Sequence, residues 1–564
     1  MATDILRIAI AQLNPTVGAI AENLELARKA RADAARSGAD LVLFTELFIA
    51  GYPPEDLVLK PSFVRACMEA VDAVAADTAD GGPGVIIGSP FRDKSAVHNA
   101  VAVLDGGKVL AWRKKVDLPN YGVFDEKRVF AIGPAPGPVN FRGVRLGVPI
   151  CEDIWGAHGV CETLAEAGAE LLLVPNGSPY HREKMDVRYQ IALRQIIETG
   201  LPMLYANQNG GQDELVFDGG SFVINADRQL AVQMNQFETS VYVTTWRRGG
   251  TGWACDRGVL AKLPDTDEAD WRACVVGLRD YVDKNGFANV VLGLSGGIDS
   301  AICAAIAVDA LGEERVRCVM MPYKYTSQES ISDAEACARA LGVRYEIVPI
   351  SEPVEGFVKA LAPIFAGTNE GITEENLQSR ARGVILMAIS NKFGSMVVTT
   401  GNKSEMSVGY ATLYGDMNGG FNPIKDLYKM HVYRLAKWRN SHVPPDCLGA
   451  SGEVIPANIL SKAPSAELRP NQTDQDSLPP YPVLDEVLEC LVEQEMSVSE
   501  IVEQGHDRAT VERVQNMLYI AEYKRRQSAP GVKITGKYFG RDRRYPITNR
   551  FRGGIEKVSE PLKS

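Results

Sequence analysis

Short apolar runs alternate with amphipathic stretches over the first 246 residues of the chain. Apolar runs of strand length occupy residues 5–13, 40–44, 84–88, 99–104, 145–150, 170–175, 202–207 and 221–224. A helical period of apolar positions fits residues 20–37, 63–77 and 184–199. Because alternating strands and helices are typical of layered architectures, this part of the chain is predicted to fold as an α/β domain.

A domain boundary is predicted where this pattern lapses. Residues that break regular structure cluster at 247–252 and 263–267, and a new helix is predicted over residues 268–285. We therefore predict two domains, residues 1–262 and residues 263–564.

The second domain restarts the alternation of strands and helices. Strands are predicted at residues 289–294, 316–321 and 344–349, and helices at residues 300–311 and 329–341. This regular succession predicts a doubly wound parallel sheet, so the fold class of both domains is α/β. A proline-rich stretch, residues 460–482, is predicted to be an exposed loop with a functional role.

The composition is that of an ordinary globular protein, with 564 residues, 45% of them hydrophobic and 23% charged. No apolar run reaches the roughly 18 residues of a membrane span, and the short apolar opening of the chain contains an acidic residue, so neither a span nor a signal peptide is expected. The ten cysteines and six histidines lack the spacing of zinc sites or of a disulfide framework. These thiols indicate a reducing, cytoplasmic location.

Charge is distributed unevenly along the chain. The net charge of -11 argues against nucleic acid as a partner. Residues 521–552 depart from this balance, with ten Lys or Arg residues against two acidic ones. Such a stretch needs an anionic partner or extensive contact with solvent.

Three residues suited to acyl transfer follow predicted strands of the first domain. Glu46 comes after the strand at 40–44, Cys151 ends the strand at 145–150, and Lys115 follows a third strand. If the strand ends converge, the carboxylate accepts the thiol proton while the ammonium stabilises the thiolate and then an oxyanion. Taken singly, a cysteine is more often a core residue, and Glu or Lys is usually a solvated surface group.

In these contexts Glu46, Lys115 and Cys151 resemble the nitrilase-type carbon-nitrogen hydrolases, over roughly residues 5–246. The resemblance implies a four-layer αββα sandwich and a cysteine that forms a thioester with an amide or nitrile. Residues 118–126 and 176–180 are similar to the glutamine-using branch. By that similarity the residues that hold L-glutamine are Tyr121, Ser178 and Lys184, and Glu126 supports the lysine. Gly177 stands where Ala is frequent in that branch.

A glycine-rich turn between a predicted strand and a helix is the first candidate binding site in the second domain. In the sequence Ser295-Gly-Gly-Ile-Asp-Ser300, the glycines allow several backbone amides to bind one anion at a helix N-terminus. Such a site suits a phosphate or pyrophosphate. It lacks the pattern of a Walker loop. An ordinary β-to-α turn is the alternative, but Asp299 beside bound phosphates would be a natural Mg²⁺ ligand.

This turn resembles the pyrophosphate loop of ATP pyrophosphatases, which adenylate a substrate and release pyrophosphate. Three further segments, residues 375–382, 399–405 and 413–426, are similar to the glutamine-dependent NAD synthetases, and the resemblance then covers nearly the whole chain. The resemblance implies that ATP is bound by Gly293, Leu294, Ser295, Gly296, Gly297, Ile298, Asp299, Ser300 and Thr400.

The same resemblance, together with residue chemistry, predicts where the dinucleotide binds. Asn376 and Arg380 lie four apart on one helix face and suit a polar grip on a nucleotide, although a solvated face is the alternative. Glu405 follows a strand beside the phosphate loop and is the expected second metal carboxylate. Lys524, in the basic stretch, would meet the pyrophosphate of the dinucleotide. The expected residues for deamido-NAD are thus Asn376, Glu405 and Lys524, and those for Mg²⁺ are Asp299 and Glu405.

The expected function is glutamine-dependent amidation of deamido-NAD, with ATP as a substrate and Mg²⁺ as the metal. The expected protein is a cytoplasmic homo-oligomer that acts on small molecules and binds neither nucleic acid nor membrane. Two rivals remain at this point: an amidotransferase for another carboxylate or carbonyl, and a non-catalytic nucleotide sensor that keeps both folds.

Overall fold

The computed structural model describes residues 4–94, 96–156 and 158–551. The chain divides into two compact units, Met1–Asp265 and Thr266–Ser564. Among the described residues, no helix is both long enough and apolar enough to cross a membrane. All ten cysteines lie within the described ranges and are free thiols.

The first unit is built on two sheets. Its strands are β1 (Ile5–Gln12), β2 (Leu41–Leu43), β3 (Gly84–Arg92), β4 (Val97–Asp105), β5 (Lys108–Lys114), β6 (Val139–Phe141), β7 (Val144–Gly147), β8 (Leu171–Asn176), β9 (Met203–Asn207), β10 (Asn209–Gln212), β11 (Leu215–Asp218), β12 (Phe222–Ile224), β13 (Leu230–Gln233), β14 (Ser240–Gly249) and β15 (Gly252–Cys255). One sheet has the order β15-β14-β1-β2-β3-β4-β5 and the other the order β13-β12-β9-β8-β7-β6, while β10 and β11 pair separately.

Helices cover the outer face of each sheet. They are α1 (Ile20–Arg36), α2 (Pro61–Asp77), α3 (Val160–Glu166) and α4 (Lys184–Thr199). Alternation along β1 shows how the layers form: Ile8 and Ile10 join the core between the sheets, whereas Ala9 and Ala11 join the core under α1 and α2. The helices α3 and α4 bury a third cluster against the second sheet. The αββα sandwich that the sequence predicts is therefore confirmed.

The second unit is built on one parallel sheet. Its strands are β16 (Val290–Gly293), β17 (Val316–Met320), β18 (Arg344–Ile347) and β19 (Met396–Val397). Its helices are α5 (Thr266–Lys284), α6 (Ile298–Leu311), α7 (Gln328–Leu341), α8 (Ser351–Leu361), α9 (Ile372–Phe393), α10 (Lys403–Val408), α11 (Lys429–Ser441), α12 (Ala457–Ser461), α13 (Tyr481–Val492), α14 (Val498–Glu503), α15 (Arg508–Ile520) and α16 (Glu522–Arg525).

The strand order β18-β17-β16-β19, with every pair parallel, confirms the predicted doubly wound sheet. The order of strands reverses between β16 and β19, and ligands of such sheets bind at the carboxyl ends of the strands at that point. The helix α6 follows β16 directly and is buried along nearly its whole length. Its N-terminus is thereby fixed at the switch point.

One expectation about the C-terminal half needs correction. The stretch 460–482 is not an exposed loop throughout, because α13 begins at Tyr481 and the side chains of Asp474 and Leu478 are buried. Several cations of the basic stretch that follows have anionic partners inside the chain. Arg525 lies 2.8 Å from a carboxylate oxygen of Glu522, and Lys533 lies 2.5 Å from a carboxylate oxygen of Asp542.

Candidate active sites

Cys151 lies just beyond β7, as the first residue of a short 3-10 turn, with φ of 44°. Residues other than glycine rarely adopt this conformation, and strain of this kind gathers at functional positions. The Asp153 carboxylate holds the turn, since it accepts hydrogen bonds from the backbone amides of Ile150 and Val116, both at 2.9 Å. Val116 follows Lys115 directly. The turn that carries the thiol is thus tied to the segment that carries the lysine.

Lys115 lies between two buried carboxylates. Its Nζ is 2.6 Å from Glu46 Oε1 and 2.9 Å from Glu126 Oε1, and the side chains of Lys115 and Glu46 are fully buried. Burial acting alone would lower the pKa of the Lys115 ammonium, but Glu126 and Glu46 outweigh it and raise that pKa well above its usual value. The lysine is therefore a constant positive charge in this pocket.

The surroundings of Cys151 favour the protonated form of its thiol. Burial raises the pKa of the thiol well above its usual range, and the negative charge of Glu46 adds to that shift, while Lys115 opposes it. A nucleophilic thiolate therefore has to form during attack, with a base at hand to take the proton. Glu46 is the carboxylate that acts most strongly on this thiol.

Three further residues orient the two carboxylates, and the sequence indicated this role for none of them. Asn99 Nδ2 donates to Glu46 Oε1 at 2.7 Å and to Glu126 Oε2 at 3.1 Å. The Tyr52 hydroxyl donates to Glu126 Oε1 at 2.9 Å, and the Gly177 amide donates to Glu46 Oε2 at 3.0 Å. Residues from several elements therefore hold the carboxylates of Glu46 and Glu126, and this fixes the geometry of the pocket before substrate binds.

Gly177 also has a packing reason to be glycine in this chain. A Cβ at this position would stand 2.9 Å from the ring of Tyr52 and 3.4 Å from Glu46 Oε2. Contact at 2.9 Å requires a neighbour to shift, so alanine at position 177 would press on a residue that orients the catalytic carboxylates.

Two of the predicted glutamine-binding residues lie around the same pocket. Tyr121 is 55% exposed and its hydroxyl donates to Glu152 Oε2 at 3.0 Å. Lys184 begins α4, with Nζ 4.4 Å from the centroid of the Trp155 ring. Burial, followed by the charge of Arg188, lowers the pKa of Lys184 to about 8. Glu152 follows Cys151 in the 3-10 turn and Trp155 ends that turn, so both side chains contact the turn that carries the nucleophile.

The third, Ser178, is held by a buried ion pair that the sequence did not reveal. Arg188 donates to Ser178 Oγ at 3.2 Å and to the Ser178 carbonyl oxygen at 2.8 Å. Asp218 binds the same guanidinium through two contacts of 2.8 Å, and both charged side chains are essentially unexposed. Arg188 lies one helical turn after Lys184, and this spacing is the signal that would have placed it on the same face of α4.

In the second unit, all nine residues predicted to bind ATP line one cavity of about 300 Å³. They come from the end of β16, the phosphate loop and the chain beyond β19, so the cavity lies at the topological switch point. Gly296 has φ of 80°, and a Cβ there would collide with the backbone of Ser330. The loop therefore needs glycine at this position.

Asp299 and Glu405 face the same cavity, and Lys429 joins them. The Lys429 ammonium pairs with Asp299 Oδ2 and lies 3.2 Å from Glu405 Oε1. Burial raises the pKa of Glu405 to about 8, against the opposing effect of Lys429. In the described part of the chain, no group of three or more His, Cys, Asp or Glu residues is arranged to hold a metal. Two carboxylates alone still suit Mg²⁺, which keeps several waters and phosphate oxygens as ligands.

Asn376 and Lys524 are not among the residues that line this cavity. The Asn376 side chain accepts a hydrogen bond from Thr412 Oγ1 at 3.0 Å. The Lys524 ammonium donates to the carbonyl oxygens of Gly409 and Ala411, at 2.7 and 2.6 Å. Ala411 lines the cavity, so Lys524 supports its wall from behind.

The face of α9 that lines the cavity was not the one selected from the sequence. It carries Ser379, Arg382 and Leu386, at helical spacing, and not the predicted pair of Asn376 and Arg380. Arg382 donates to a backbone oxygen, and burial lowers the pKa of its guanidinium to about 10. Arg382 is therefore a half-buried cation that lines the phosphate-loop cavity.

Comparison with known proteins agrees with this division. The carbon-nitrogen hydrolase family model matches residues 7–252, and the NAD synthase family model matches residues 270–528. The glutamine-dependent NAD(+) synthetase of Rhodobacter capsulatus is 54% identical over 98% of this chain and 99% of that protein. A solved structure of glutamine-dependent NAD+ synthetase from Acinetobacter baumannii, in complex with ADP, is 40% identical over 97% of this chain and 99% of that one, with a TM-score of 0.77.

A structure of the Cytophaga hutchinsonii glutamine-dependent NAD(+) synthetase has a TM-score of 0.82 at 22% identity, and it supports the fold. The relative from Rhodobacter capsulatus matches both units along nearly its full length, and the two family matches fall in separate units. The chain therefore belongs to the family of glutamine-dependent NAD synthetases, which are ligases.

Proposed function

We propose that the first unit hydrolyses L-glutamine to glutamate and ammonia and that the second amidates deamido-NAD to NAD. ATP activates the nicotinic acid carboxylate as an acyl adenylate, with release of pyrophosphate, and ammonia then displaces AMP. The observation that carries the proposal is that each unit contains its own preorganised centre. One is the buried set of Glu46, Lys115 and Cys151, and the other is the phosphate-loop cavity.

In the first unit, Cys151 attacks the side-chain amide of glutamine as Glu46 takes the thiol proton. Lys115 offers its fixed charge to the oxyanion of the tetrahedral intermediate. Glu46 returns the proton to the leaving ammonia, and water then hydrolyses the thioester with Glu46 again as base. Tyr121, Ser178 and Lys184 hold the substrate, the lysine through its positive charge toward the glutamine carboxylate.

In the second unit, the amides of the loop 295–300 and the N-terminus of α6 hold the ATP phosphates. Asp299 and Glu405 would hold Mg²⁺, because their carboxylate oxygens face the cavity and are the donors that such an ion prefers. When bound, Mg²⁺ would neutralise the charge that develops on the phosphates. The Lys429 ammonium balances the two carboxylates in the described structure.

The dinucleotide is proposed to contact Asn376, Glu405 and Lys524. Lys524 donates to the carbonyl oxygen of Ala411, which lines the cavity, and supplies positive charge to this side of the unit. Asn376 contacts Thr412, the next residue along the chain. The pKa of Lys524 is lowered by its burial, while Asp416 opposes that shift.

We also propose a homo-oligomer in the cytoplasm. The ten free thiols suit a reducing compartment. Apolar side chains on α8 and α9 are exposed, with Phe357 at 43% and Val384 at 61%, and support self-association through these helices. Sedimentation of the purified chain tests the assembly, and Val384→Asp should weaken it if these helices form the contact.

The assay for the central proposal uses the full-length chain with ATP, Mg²⁺ and deamido-NAD, with NAD measured directly. NAD is expected with glutamine as the nitrogen source. A chain that hydrolyses glutamine but forms no NAD would retain only the first half of the proposal.

A further inference from the structure

One buried amide joins the two carboxylates that face the phosphate cavity. Asn402 is fully buried and precedes α10, the helix that carries Glu405. Its Nδ2 donates to Asp299 Oδ1 at 2.9 Å, and its Oδ1 accepts from the backbone amide of Glu405 at 3.0 Å. A single side chain therefore bridges the phosphate loop after β16 and the helix after β19.

We infer that Asn402 is a positioning residue for adenylation, because it sets the separation and orientation of Asp299 and Glu405 across the switch point. The inference rests on the proposed function, in which these two carboxylates hold Mg²⁺. Asn402 acts through them and lies away from the reacting atoms. Asn402 lies in the segment 399–405 that carries the family resemblance, but the sequence analysis assigned it no role.

The hydrogen-bonding capacity of the side chain explains why an amide suits this position. An amide presents a donor and an acceptor at once, and the bridge uses one of each. Serine retains an acceptor for the helix N-terminus but is too short to reach across to Asp299. Alanine loses both contacts.

The division of contacts on Asp299 gives the amide a specific effect. Asn402 binds Oδ1, whereas the Lys429 ammonium binds Oδ2. The carboxylate plane is therefore fixed at both oxygens. Without the amide, Asp299 would be free to turn toward Lys429, and its alignment with Glu405 would be lost. Loss of a group that orients a metal ligand typically costs about 10- to 100-fold in metal affinity or activity.

The helix α10 has an anchor that does not depend on Asn402. The Lys403 ammonium, fully buried, lies 2.7 Å from Asp426 Oδ1, donates to Thr535 Oγ1 at 2.7 Å and pairs with Glu493. Substitution of Asn402 should consequently leave α10 in place. The effect should appear in the geometry of the carboxylates.

The test compares Asn402→Ser and Asn402→Ala with the native full-length chain. Mg²⁺ is titrated calorimetrically into protein saturated with a non-hydrolysable ATP analogue. The Mg²⁺ concentration for half-maximal NAD formation from added ammonia is measured in parallel. In each measurement, both variants should need an Mg²⁺ concentration at least about tenfold higher than the native chain. Glutamine hydrolysis in the first unit should be unchanged.

Ser497→Ala is the matched control, because Ser497 caps α14 through the same type of side-chain contact without touching the cavity. It should lose thermal stability without a change in the Mg²⁺ titration. Unchanged Mg²⁺ titrations in the Asn402 variants, or a normal titration in Asn402→Ser alone, would overturn the inference. Failure of Asn402→Ser to fold would do the same, because the residue would then serve stability. Absence of Mg²⁺ binding in the native chain would instead defeat the proposed metal site.

Discussion

The Nζ of Lys115 lies 2.6 Å from Oε1 of Glu46, and neither side chain has any exposed surface. Two charges removed from water in this way are tolerated only when they are paired and hydrogen-bonded. Each residue is therefore required both for the chemistry and for the charge balance of the pocket.

Lys115→Met is expected to lower glutamine turnover at least ~10²-fold, since it removes the cation that faces the developing oxyanion. It should also destabilise the first unit by about 3–5 kcal/mol, because Glu46 is left as a buried charge without its partner. Glutaminase kinetics and thermal unfolding of the purified variant measure the two effects.

Lys114→Met is the control for this prediction. Lys114 precedes Lys115 on the chain but pairs with Asp93, and it is partly exposed. It should leave turnover close to the native rate. If the Lys115→Met enzyme kept the native turnover, Lys115 would be a structural cation without a role in catalysis.

Cys151→Ala should abolish glutamine hydrolysis and glutamine-dependent NAD formation, while NAD formation from added ammonia survives. The reason is that the thioester needs the sulfur, whereas the second unit does not. The measurement is NAD formation with each nitrogen source in turn.

Cys161 provides a matched substitution ten residues away. Like Cys151 it is buried and its thiol pKa is raised by burial, but it lies on α3, in the core that α3 and α4 form with the second sheet. Cys161→Ala should retain glutamine hydrolysis. Native hydrolysis by Cys151→Ala would show that the nucleophile is another residue.

The fold could be predicted from the sequence because each strand and helix carries its own periodicity. The helix predicted over residues 184–199 matches α4, Lys184–Thr199, and the strand predicted over 316–321 extends one residue past β17. The structure of the segment before α13 was harder to predict. Its prolines indicate a loop, but a proline in the first turn also starts a helix, as in α13.

Residues with chemistry at strand ends could be recognised, whereas those that orient them could not. Asn99 lies inside β4 beside another polar residue, His98, and nothing in the sequence of the strand indicates its distance from Glu46. Lys429 lies 130 residues beyond Asp299 and meets it only through the tertiary fold. Both contacts depend on which strands become neighbours, and local pattern does not determine that.

Glutamine binding should weaken as the pH rises through about 8. The pKa of Lys184 is lowered to about 8 from 10.5, chiefly by burial, so its ammonium loses the proton in this range. The neutral amine attracts the substrate carboxylate less, and KM for glutamine should increase above pH 8. Steady-state kinetics from pH 6.5 to 9.5 measure this.

Lys184→Arg tests the assignment, because a guanidinium keeps its charge throughout that range. Its KM for glutamine should change less with pH than that of the native enzyme. Parallel profiles for the two proteins would exclude Lys184 as the group responsible.

Asp299→Asn and Lys524→Ala should impair the second unit in different ways. Asp299→Asn removes a proposed metal ligand, so adenylation and pyrophosphate release should collapse even at saturating ATP and deamido-NAD. Both variants should retain glutamine hydrolysis at Cys151, because that centre lies in the other unit. Pyrophosphate release is measured against the concentration of each substrate.

Lys524→Ala is expected to raise KM for deamido-NAD more than KM for ATP. It removes a cation proposed to meet the dinucleotide, and it frees the carbonyl oxygens of Gly409 and Ala411 that the ammonium now holds. Lys524→Arg separates these effects, since it keeps the charge but alters the geometry of the two contacts. Recovery in Lys524→Arg would indicate that charge matters most. If deamido-NAD dependence stays native in Lys524→Ala, the lysine contributes to neither the binding site nor its wall, and the dinucleotide binds elsewhere.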